Sequence, residues 1–184
     1  MGEPKFQVLV ADPPWPFDDK LPGATRGAEM NYKVLSIKGI KDFIWIPPCK
    51  EFQGDSIVDH LAPDCTLFLW RVASMQQEAL DVVKAWGFTL KTELVWLKRT
   101  VNGARHFGMG RTVRAEHETC LIAVRGKPVT LDLSIRSTFE APTGRHSEKP
   151  EAFFKIVERL RAGPYLELFA RRHRDGWTCL GDEL

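Results

Sequence analysis

The stretch that decides the fold is residues 6–15, which read FQVLVADPPW. Phe6–Ala11 is an apolar run with β-branched content, which is typical of a strand buried on both faces of a sheet. Asp12 and two prolines end this run, because proline has no N–H to donate and a fixed φ. The sequence therefore predicts a central strand with a rigid polar loop at its carboxyl end.

Outward from this stretch, strand-like and helix-like segments alternate along the chain. Further strands are predicted at 66–70, 92–97, 119–124, 165–170 and 177–180. Short helices are predicted after Ser36 and around 55–61. Residues 15–30 and 98–114 are predicted to be loops, and the polar stretch that ends near Ser147 is predicted to be irregular. This alternation predicts an α/β fold with a largely parallel sheet that is covered on both faces.

Two longer helices are predicted from their apolar periodicity. The first is capped by Ser74 and stopped by Gly87, and the second is opened by Pro150. Their core-facing residues recur at helical spacing, and they are Met75, Ala79, Val82, Val83 and Trp86 in the first helix and Phe153, Ile156, Val157 and Leu160 in the second.

The composition is that of an ordinary globular protein. Of 184 residues, 43% are hydrophobic and 27% are charged, which excludes a disordered, collagenous or coiled-coil chain. The formal net charge of +2 is too small to indicate nucleic-acid binding by itself. Four cysteines without a C-x-x-C pair indicate neither a disulfide framework nor a zinc site. Without a long apolar run or an apolar N-terminus, we expect one domain over 1–184 in the cytoplasm, with no membrane association and no metal.

The Asp12-Pro13-Pro14-Trp15 motif is the first candidate for chemistry. Ligands of open α/β sheets bind at the carboxyl ends of strands, and the motif lies at such an end. The proline carbonyls and the Asp12 carboxylate are acceptors on a stiff loop, and Trp15 adds a flat apolar wall. This combination suits a planar base that carries an amino group. The alternative is a plain proline turn with a buried tryptophan.

Further motifs follow in a fixed order over nearly the whole chain. They are LFLW at 67–70, WGF at 86–88, WLK at 96–98, GMG at 108–110, HETCLIAVRG at 117–126, SEKP at 147–150, LELFAR at 166–171, GW at 176–177 and LGDE at 180–183. With the Asp-Pro-Pro-Trp motif, this order resembles the MT-A family of N6-adenine methyltransferases, the type named for the 70-kDa subunit of the mRNA N6-adenosine methyltransferase.

The resemblance implies a Rossmann-like methyltransferase fold that uses S-adenosyl-L-methionine (SAM) as the methyl donor. It also implies a permuted order, in which the catalytic motif precedes the cofactor strand at 165–170. That order agrees with the absence of a G-x-G-x-x-G motif after any predicted strand. The sequence is therefore expected to be that of a SAM-dependent adenine methyltransferase.

The resemblance also implies roles for individual residues. The implied catalytic loop is Asp12, Pro13, Pro14 and Trp15. The implied contacts to the cofactor are Asp12, Lys149, Glu167, Leu168, Phe169, Arg171 and His173, together with Asp182 and Glu183 at the ribose. The implied contacts to the acceptor base or nucleotide are Trp15, Tyr32 and Glu118. Arg174 and Asp182 depart from the pattern, because some relatives carry amides at these two positions.

The acceptor is expected to be nucleic acid, with DNA favoured and RNA second. The segment 98–126 is the most basic stretch of its length, and its arginines Arg105, Arg111 and Arg114 are candidates for phosphate contacts. The alternative for this segment is a solvated loop. A homodimer or heterodimer is possible. Competing functions are a catalytically silent subunit that supports an active partner, a cytosine-N4 methyltransferase and a separate nucleic-acid-binding module.

Overall fold

The computed structural model describes residues 5–16, 35–45, 55–108, 112–144, 148–181 and 184. Three α-helices lie in these ranges: α1 (Ile37–Asp42), α2 (Gln76–Ala85) and α3 (Glu151–Leu160). None of the helices described is long and apolar enough to cross a membrane. The seven strands are β1 (Phe6–Ala11), β2 (Leu61–Arg71), β3 (Thr89–Arg99), β4 (His117–Arg125), β5 (Thr138–Pro142), β6 (Tyr165–Leu168) and β7 (Trp177–Leu180).

All seven strands form one sheet in the order β5-β3-β4-β2-β1-β6-β7. Strand β4 is antiparallel to both of its neighbours, β2 and β3, and the other neighbouring pairs are parallel. The predicted α/β fold with a largely parallel sheet is thereby confirmed, with β4 as the reversed strand. Ala11 of β1 pairs with Leu168 of β6, so an early and a late segment of the sequence are neighbours inside the sheet.

Strand β1 is buried from both sides, as its continuous apolar run predicts. Leu9 and Ala11 belong to the core cluster that includes residues of α1 and α2. Val8 and Val10 belong to the opposite cluster, which includes residues of α3. Alternate residues of a strand point to opposite faces, so each face of β1 joins a different core. The sheet is therefore covered by helices on both sides.

The helices predicted after Ser36, Ser74 and Lys149 are present, with small shifts at their ends. The Oγ atom of Ser36 accepts the N–H of Gly39 at 3.0 Å and caps α1. Helix α2 begins at Gln76 after a short 3-10 turn, Ala73–Met75, rather than directly after Ser74. Gly87 has a φ of 79° and ends this helix, because glycine adopts that conformation without steric cost.

The sequence did not predict β5, which lies in the stretch expected to be irregular. This edge strand is short, and among the described strands it pairs with β3 alone. It buries Ala141 and partly covers Phe139. Pairing with a strand distant in sequence stabilises it, and a local pattern does not report such pairing. The helix expected around 55–61 is a single 3-10 turn, Ile57–His60, that leads directly into β2.

Candidate active site

The ends of several strands bring charged side chains to one edge of the sheet. Asp12 follows the carboxyl end of β1, and Phe169 follows that of β6, which is parallel and adjacent. Strand β4 runs the opposite way, so its amino end, with Glu118, lies at this same edge. Lys98 near the carboxyl end of β3 lies beside it, since Leu97 pairs with His117. Open α/β sheets bind their ligands at such an edge.

A chain of four alternating charges crosses this edge. The Nζ atom of Lys149 lies 2.6 Å from Oδ2 of Asp12 and 3.2 Å from Oε2 of Glu118. The Nζ atom of Lys98 lies 2.5 Å from the other oxygen of Glu118. Lys149 precedes α3, so the amino end of this helix joins the loop after β1 to the start of β4. The four side chains Asp12, Lys149, Glu118 and Lys98 are called the charge chain below.

The inner members of the charge chain are held in their charged forms. Burial opposes the charge on Lys149, but Asp12 and Glu118 outweigh this penalty and raise the pKa of the ammonium group. Burial likewise opposes the charge on Glu118, but Lys149 and Lys98 outweigh it and lower the pKa of the carboxyl. Lys149 is only one-tenth exposed, so its attraction to Asp12 is weakly screened by solvent. The chain therefore fixes the Asp12 carboxylate in position.

Trp15 lies inside the protein rather than on the wall of the site. Its side chain is 4% exposed and belongs to the core cluster beneath the sheet edge. Its Nε1–H donates to the backbone carbonyl of Trp70 at 3.0 Å, and the Nζ atom of Lys149 lies 5.1 Å from the centre of a Trp70 ring. The exposed stacking wall expected at Trp15 is not seen here. The buried indole instead anchors the loop that carries Asp12.

The carbonyl groups of Pro13 and Pro14 each accept one backbone hydrogen bond. The Pro13 carbonyl accepts the N–H of Trp15 at 2.9 Å, and the Pro14 carbonyl accepts the N–H of Leu35 at 3.1 Å. A carbonyl oxygen has two lone pairs, so each proline retains acceptor capacity. With Asp12 tied to Lys149, this loop is a stiff group of hydrogen-bond acceptors.

Beside Asp12 lies a shallow cleft that is open to solvent. Five predicted cofactor residues line it, namely Asp12, Lys149, Glu167, Phe169 and Arg171. Leu168 is fully buried in the core, and His173 is exposed outside the lining, so neither side chain faces the cleft. Asp182 and Glu183 lie outside the described residues. The remaining lining residues are Glu148, Phe154, Arg172 and Arg174.

Phe169 lines this cleft and turns the chain away from β6. Its φ of 60° is in the left-handed region, which bulky residues rarely adopt and which costs on the order of 1 kcal/mol or more. Its ring packs against Phe43, with the ring centroids 4.5 Å apart. This conformation ends β6 two residues before the predicted end at 170. Backbone strain of this kind concentrates at functional sites.

Arg174 has one edge engaged and one edge free among the described residues. Its NH1 atom lies 2.7 and 2.6 Å from the two carboxylate oxygens of Glu151, and its Cζ atom lies 3.4 Å from the centre of the Phe154 ring. Its Nε and NH2 atoms are buried and have no hydrogen-bond partner within the described part of the chain. These two nitrogens form the edge of a guanidinium that binds a carboxylate through two parallel bonds.

Glu167 is another carboxyl of the cleft, and its surroundings differ from those of Asp12. Burial raises its pKa to about 7, Arg174 opposes this shift, and the Asp12 charge adds to it. The Cys179 thiol lies 4.0 Å from Oε2 of Glu167, and burial raises the pKa of that thiol too. Glu167 thus lies close to the boundary between its neutral and charged forms at neutral pH.

Of the predicted acceptor residues, Glu118, Arg105 and Arg114 lie on the β3 and β4 side of the charge chain. Glu118 is a member of the chain, and Arg105 forms an ion pair with Glu116 at 3.8 Å. The Arg114 guanidinium lies 5.0 Å from the centre of the Phe107 ring. Tyr32 and Arg111 lie outside the described residues.

Sequence reasoning missed the parts that Lys98 and Arg174 play in this geometry. In the sequence, Lys98 is the last residue of the WLK motif and one charge of a basic stretch, and its contact with Glu118 depends on the pairing of β3 with β4. Arg174 stood out as a departure from the family pattern, and its free edge was not foreseen. Both the Lys98–Glu118 ion pair and the free edge of Arg174 depend on how segments distant in sequence are arranged.

The fold is an open α/β sheet with a charged cleft where adjacent strand ends meet, which is the place where sheets of this class bind their ligands. The chain belongs to the MT-A70 family, because the MT-A70 family model matches residues 6–183.

Individual relatives agree with this membership. The type II methyltransferase M.MunI of Mycoplasma sp. is 31% identical over 98% of this chain and 78% of its own length. The N(6)-adenosine-methyltransferase MT-A70-like protein of Drosophila melanogaster and the human N(6)-adenosine-methyltransferase catalytic subunit METTL3 are each 29% identical over 98% of this chain. This chain spans 27% and 28% of those two proteins, so it matches about a quarter of their length.

Proposed function

We propose that this protein transfers a methyl group from SAM to the N6 amino group of adenine in nucleic acid, with DNA as the favoured acceptor. The observation that carries the proposal is the position of Asp12. Its carboxylate lines the cleft beside β6 and is also the first member of the charge chain that leads to Glu118. Asp12 thus lies between a cofactor cleft on one side and an acceptor side on the other.

The residues of the cleft fit SAM, which carries an ammonium, a carboxylate and a sulfonium. Asp12 and Glu167 provide two carboxyls for the positive groups. The free Nε and NH2 edge of Arg174 matches the carboxylate of the cofactor. When SAM is bound, its sulfonium makes the methyl group reactive towards a nucleophile. Lys149 already forms ion pairs with Asp12 and Glu118. We therefore propose Arg174 as the partner of the SAM carboxylate.

The loop that carries Asp12 and the two prolines acts on the less reactive partner of the reaction, the adenine amino group. The lone pair of an adenine amino nitrogen is delocalised into the ring, so the nitrogen is a poor nucleophile. The Asp12 carboxylate and the Pro13 carbonyl accept the two amino hydrogens and so direct the lone pair towards the methyl group. The energy of this step comes from positioning and preorganised charge. The proton leaves after the transfer, so Asp12 orients the amine without having to act as a base.

Lys149 and Glu118 act as positioning residues in this proposal. The ammonium of Lys149 is held charged between two carboxylates and keeps the Asp12 carboxylate at a fixed angle. Glu118 is 30% exposed and carries the charge chain towards the acceptor side. A neutral residue at position 149 would leave both carboxylates close together and without their shared counter-charge, which is costly in a partly buried site.

DNA is favoured because the first relative named above, which this chain covers over most of its length, is a type II methyltransferase. Phosphate contacts are proposed for the arginines of the loop between β3 and β4, namely Arg105, Arg111 and Arg114. RNA is the alternative acceptor, which the names of the two N(6)-adenosine methyltransferases favour. The chain is proposed to act as one domain over residues 1–184.

The test is methyl transfer from isotope-labelled SAM to single-stranded and duplex DNA and RNA of mixed sequence. The nucleosides are then resolved by mass spectrometry. We expect N6-methyladenine in one polymer, which identifies the acceptor. Asp12→Ala should lower kcat about 100-fold or more while changing SAM affinity less, because the lost acceptor matters most in the transition state. Asp12→Asn retains one acceptor and should also lose much of kcat.

Asp81→Asn is the matched control, because Asp81 lies on α2 and pairs with Lys41 outside the site. Near-normal turnover of Asp12→Ala would contradict the mechanism. A wild-type protein that neither methylates any polymer nor binds SAM in calorimetry would support the silent-subunit alternative.

A further inference from the structure

The loop between β3 and β4 presents an exposed aromatic ring beside the candidate site. Phe107 is 67% exposed, and the Arg114 guanidinium lies over its ring. A large apolar side chain on an exposed loop gains nothing from the core and is available for contact with a ligand. We propose that Phe107 is a stacking platform for an unpaired nucleobase next to the acceptor adenine. This inference rests on the proposed function and adds to it a binding site for a neighbouring base.

The backbone places Phe107 close to the acceptor side of the charge chain. The N–H of His106, the preceding residue, donates to the carbonyl of Lys98 at 3.2 Å. The N–H of Lys98 in turn donates to the carbonyl of Glu116 at 2.8 Å, so both arms of the loop meet at Lys98. The Lys98 side chain holds Glu118. Phe107 therefore directly follows a residue whose backbone is hydrogen-bonded to the backbone of Lys98, a member of the charge chain.

Backbone contacts within the loop hold the segment that carries the ring. Gly108, the next residue, lies so close to the other arm that an added Cβ atom would be 2.3 Å from the carbonyl oxygen of Ala115. The N–H of Thr100 donates to the carbonyl of Ala104 at 2.9 Å, and the Thr100 hydroxyl accepts the N–H of Ala104 at 3.1 Å. A platform that is held in place loses little conformational entropy on binding, which favours affinity.

The charge of the loop favours nucleic acid over a protein partner. Residues 98–116 carry five lysines and arginines and one glutamate, Glu116. Carboxylates on the sheet compensate two of these charges, since Lys98 faces Glu118 and Arg99 faces Glu140. Arg114 adds its charge at the ring itself. A base stacked on an aromatic ring, with an arginine near its phosphate, is the usual arrangement for binding single strands.

A base that stacks on Phe107 must be out of a regular duplex. The proposal therefore predicts that the protein prefers a single strand, or a duplex opened around the acceptor, to an intact duplex. Stacking does not depend on the identity of the base, because every base has a π-face. The platform consequently contributes affinity and position rather than sequence recognition.

The test is binding of the full chain to a fluorescein-labelled single strand of mixed sequence, as DNA and as RNA, followed by fluorescence anisotropy. We expect Phe107→Ala to weaken binding roughly 5- to 100-fold. Phe107→Trp should retain the affinity, and Phe107→Leu should not, because leucine keeps the apolar bulk without the π-face. The slope of affinity against salt should be unchanged in Phe107→Ala, which removes no charge, and flatter in Arg114→Ala.

Val101→Ala is the matched control, because Val101 is an exposed apolar residue on the same loop, at 84% exposure. Equal binding by Phe107→Ala and wild type would overturn the inference, as would full affinity in Phe107→Leu. A change in oligomeric state on sedimentation, with unchanged affinity for the strands, would also overturn it in favour of a protein partner. Calorimetric binding of SAM, measured on the same variants, tests the proposed function separately, because Phe107 lies outside the cofactor cleft.

Discussion

At the scale of single residues, three carboxyl groups near one another have different surroundings. Asp12 and Glu118 share the Lys149 ammonium, and Glu118 also has Lys98. Among the described residues Glu167 has no comparable ion pair, and burial is the largest cause of its raised pKa. Environment rather than residue type therefore sets which of these groups are charged, a pattern common in sites that perform chemistry.

Glu167 gives a prediction about the pH dependence of stability. Its folded pKa is raised from 4.5 to about 7, so its neutral form is the one that the fold favours. The contribution of Glu167 is fully present below its unfolded pKa and is lost as pH rises through the folded pKa. Between about pH 4 and pH 8, we expect the free energy of unfolding of wild type to fall by on the order of 2 kcal/mol relative to that of Glu167→Gln.

Urea unfolding of wild type and Glu167→Gln across this pH range measures the difference directly. Subtracting one protein from the other removes the titrations that they share. Glu158→Gln is the control, since Glu158 lies on α3 outside the cleft and pairs with Trp177. A constant difference between wild type and Glu167→Gln at all pH values would show that the carboxyl does not titrate abnormally.

At the scale of elements, α3 serves different purposes at its two ends. Lys149, just before its amino end, belongs to the charge chain. Arg161, at its carboxyl end, donates from Nε to the Thr66 hydroxyl at 2.7 Å and from NH1 to the Thr130 hydroxyl at 2.6 Å. Thr66 is fully buried in β2. The helix is thereby fixed to the sheet at the end away from the site, which holds Lys149 in register with Asp12.

Arg161→Met tests this anchor, because methionine keeps the apolar stem and loses the guanidinium. The buried Thr66 hydroxyl is then left without its donor, so we expect a loss of about 1–3 kcal/mol in the free energy of unfolding. Arg159→Met is the control on the same helix, since Arg159 is 58% exposed and should matter little. Equal denaturation midpoints for Arg161→Met and wild type would exclude an anchoring role.

At the scale of the whole molecule, the strand order creates the site. Strands β1 and β6 are neighbours in the sheet although most of the chain separates them in sequence. Their parallel pairing places Asp12 beside Phe169 and Glu167, and the reversal of β4 adds Glu118. The cleft therefore exists only when the sheet is complete.

Ligand binding should accordingly stabilise the entire fold. A ligand that binds only the folded chain, at 100 times its Kd, adds about 2.7 kcal/mol to the free energy of unfolding. For a chain of this length we expect SAM to raise Tm by roughly 5–10 °C at that concentration. Scanning calorimetry measures this shift in Tm. Arg174→Ala should reduce the shift, because the carboxylate of SAM loses its proposed partner. An unchanged Tm at saturating SAM would contradict the proposed cofactor.

The sequence by itself determined the class of fold and the family. The apolar run of β1 and the periodic faces of α2 and α3 follow from local alternation of burial, which residues near in sequence report. The prediction of a largely parallel α/β sheet is confirmed, as is membership of the MT-A70 family. The motif residues Asp12, Lys149 and Glu118 were identified as candidates, and their roles remain predictions.

Only the tertiary structure decided which of these residues meet. The ion pairs of Lys149, the burial of Trp15 and the free edge of Arg174 each depend on segments far apart in sequence. The edge strand β5 is stabilised by β3, and no local pattern in its five residues reports that partner. Local propensity specifies elements, whereas contacts between distant elements depend on strand order and register. The chemistry of this site resides in those contacts.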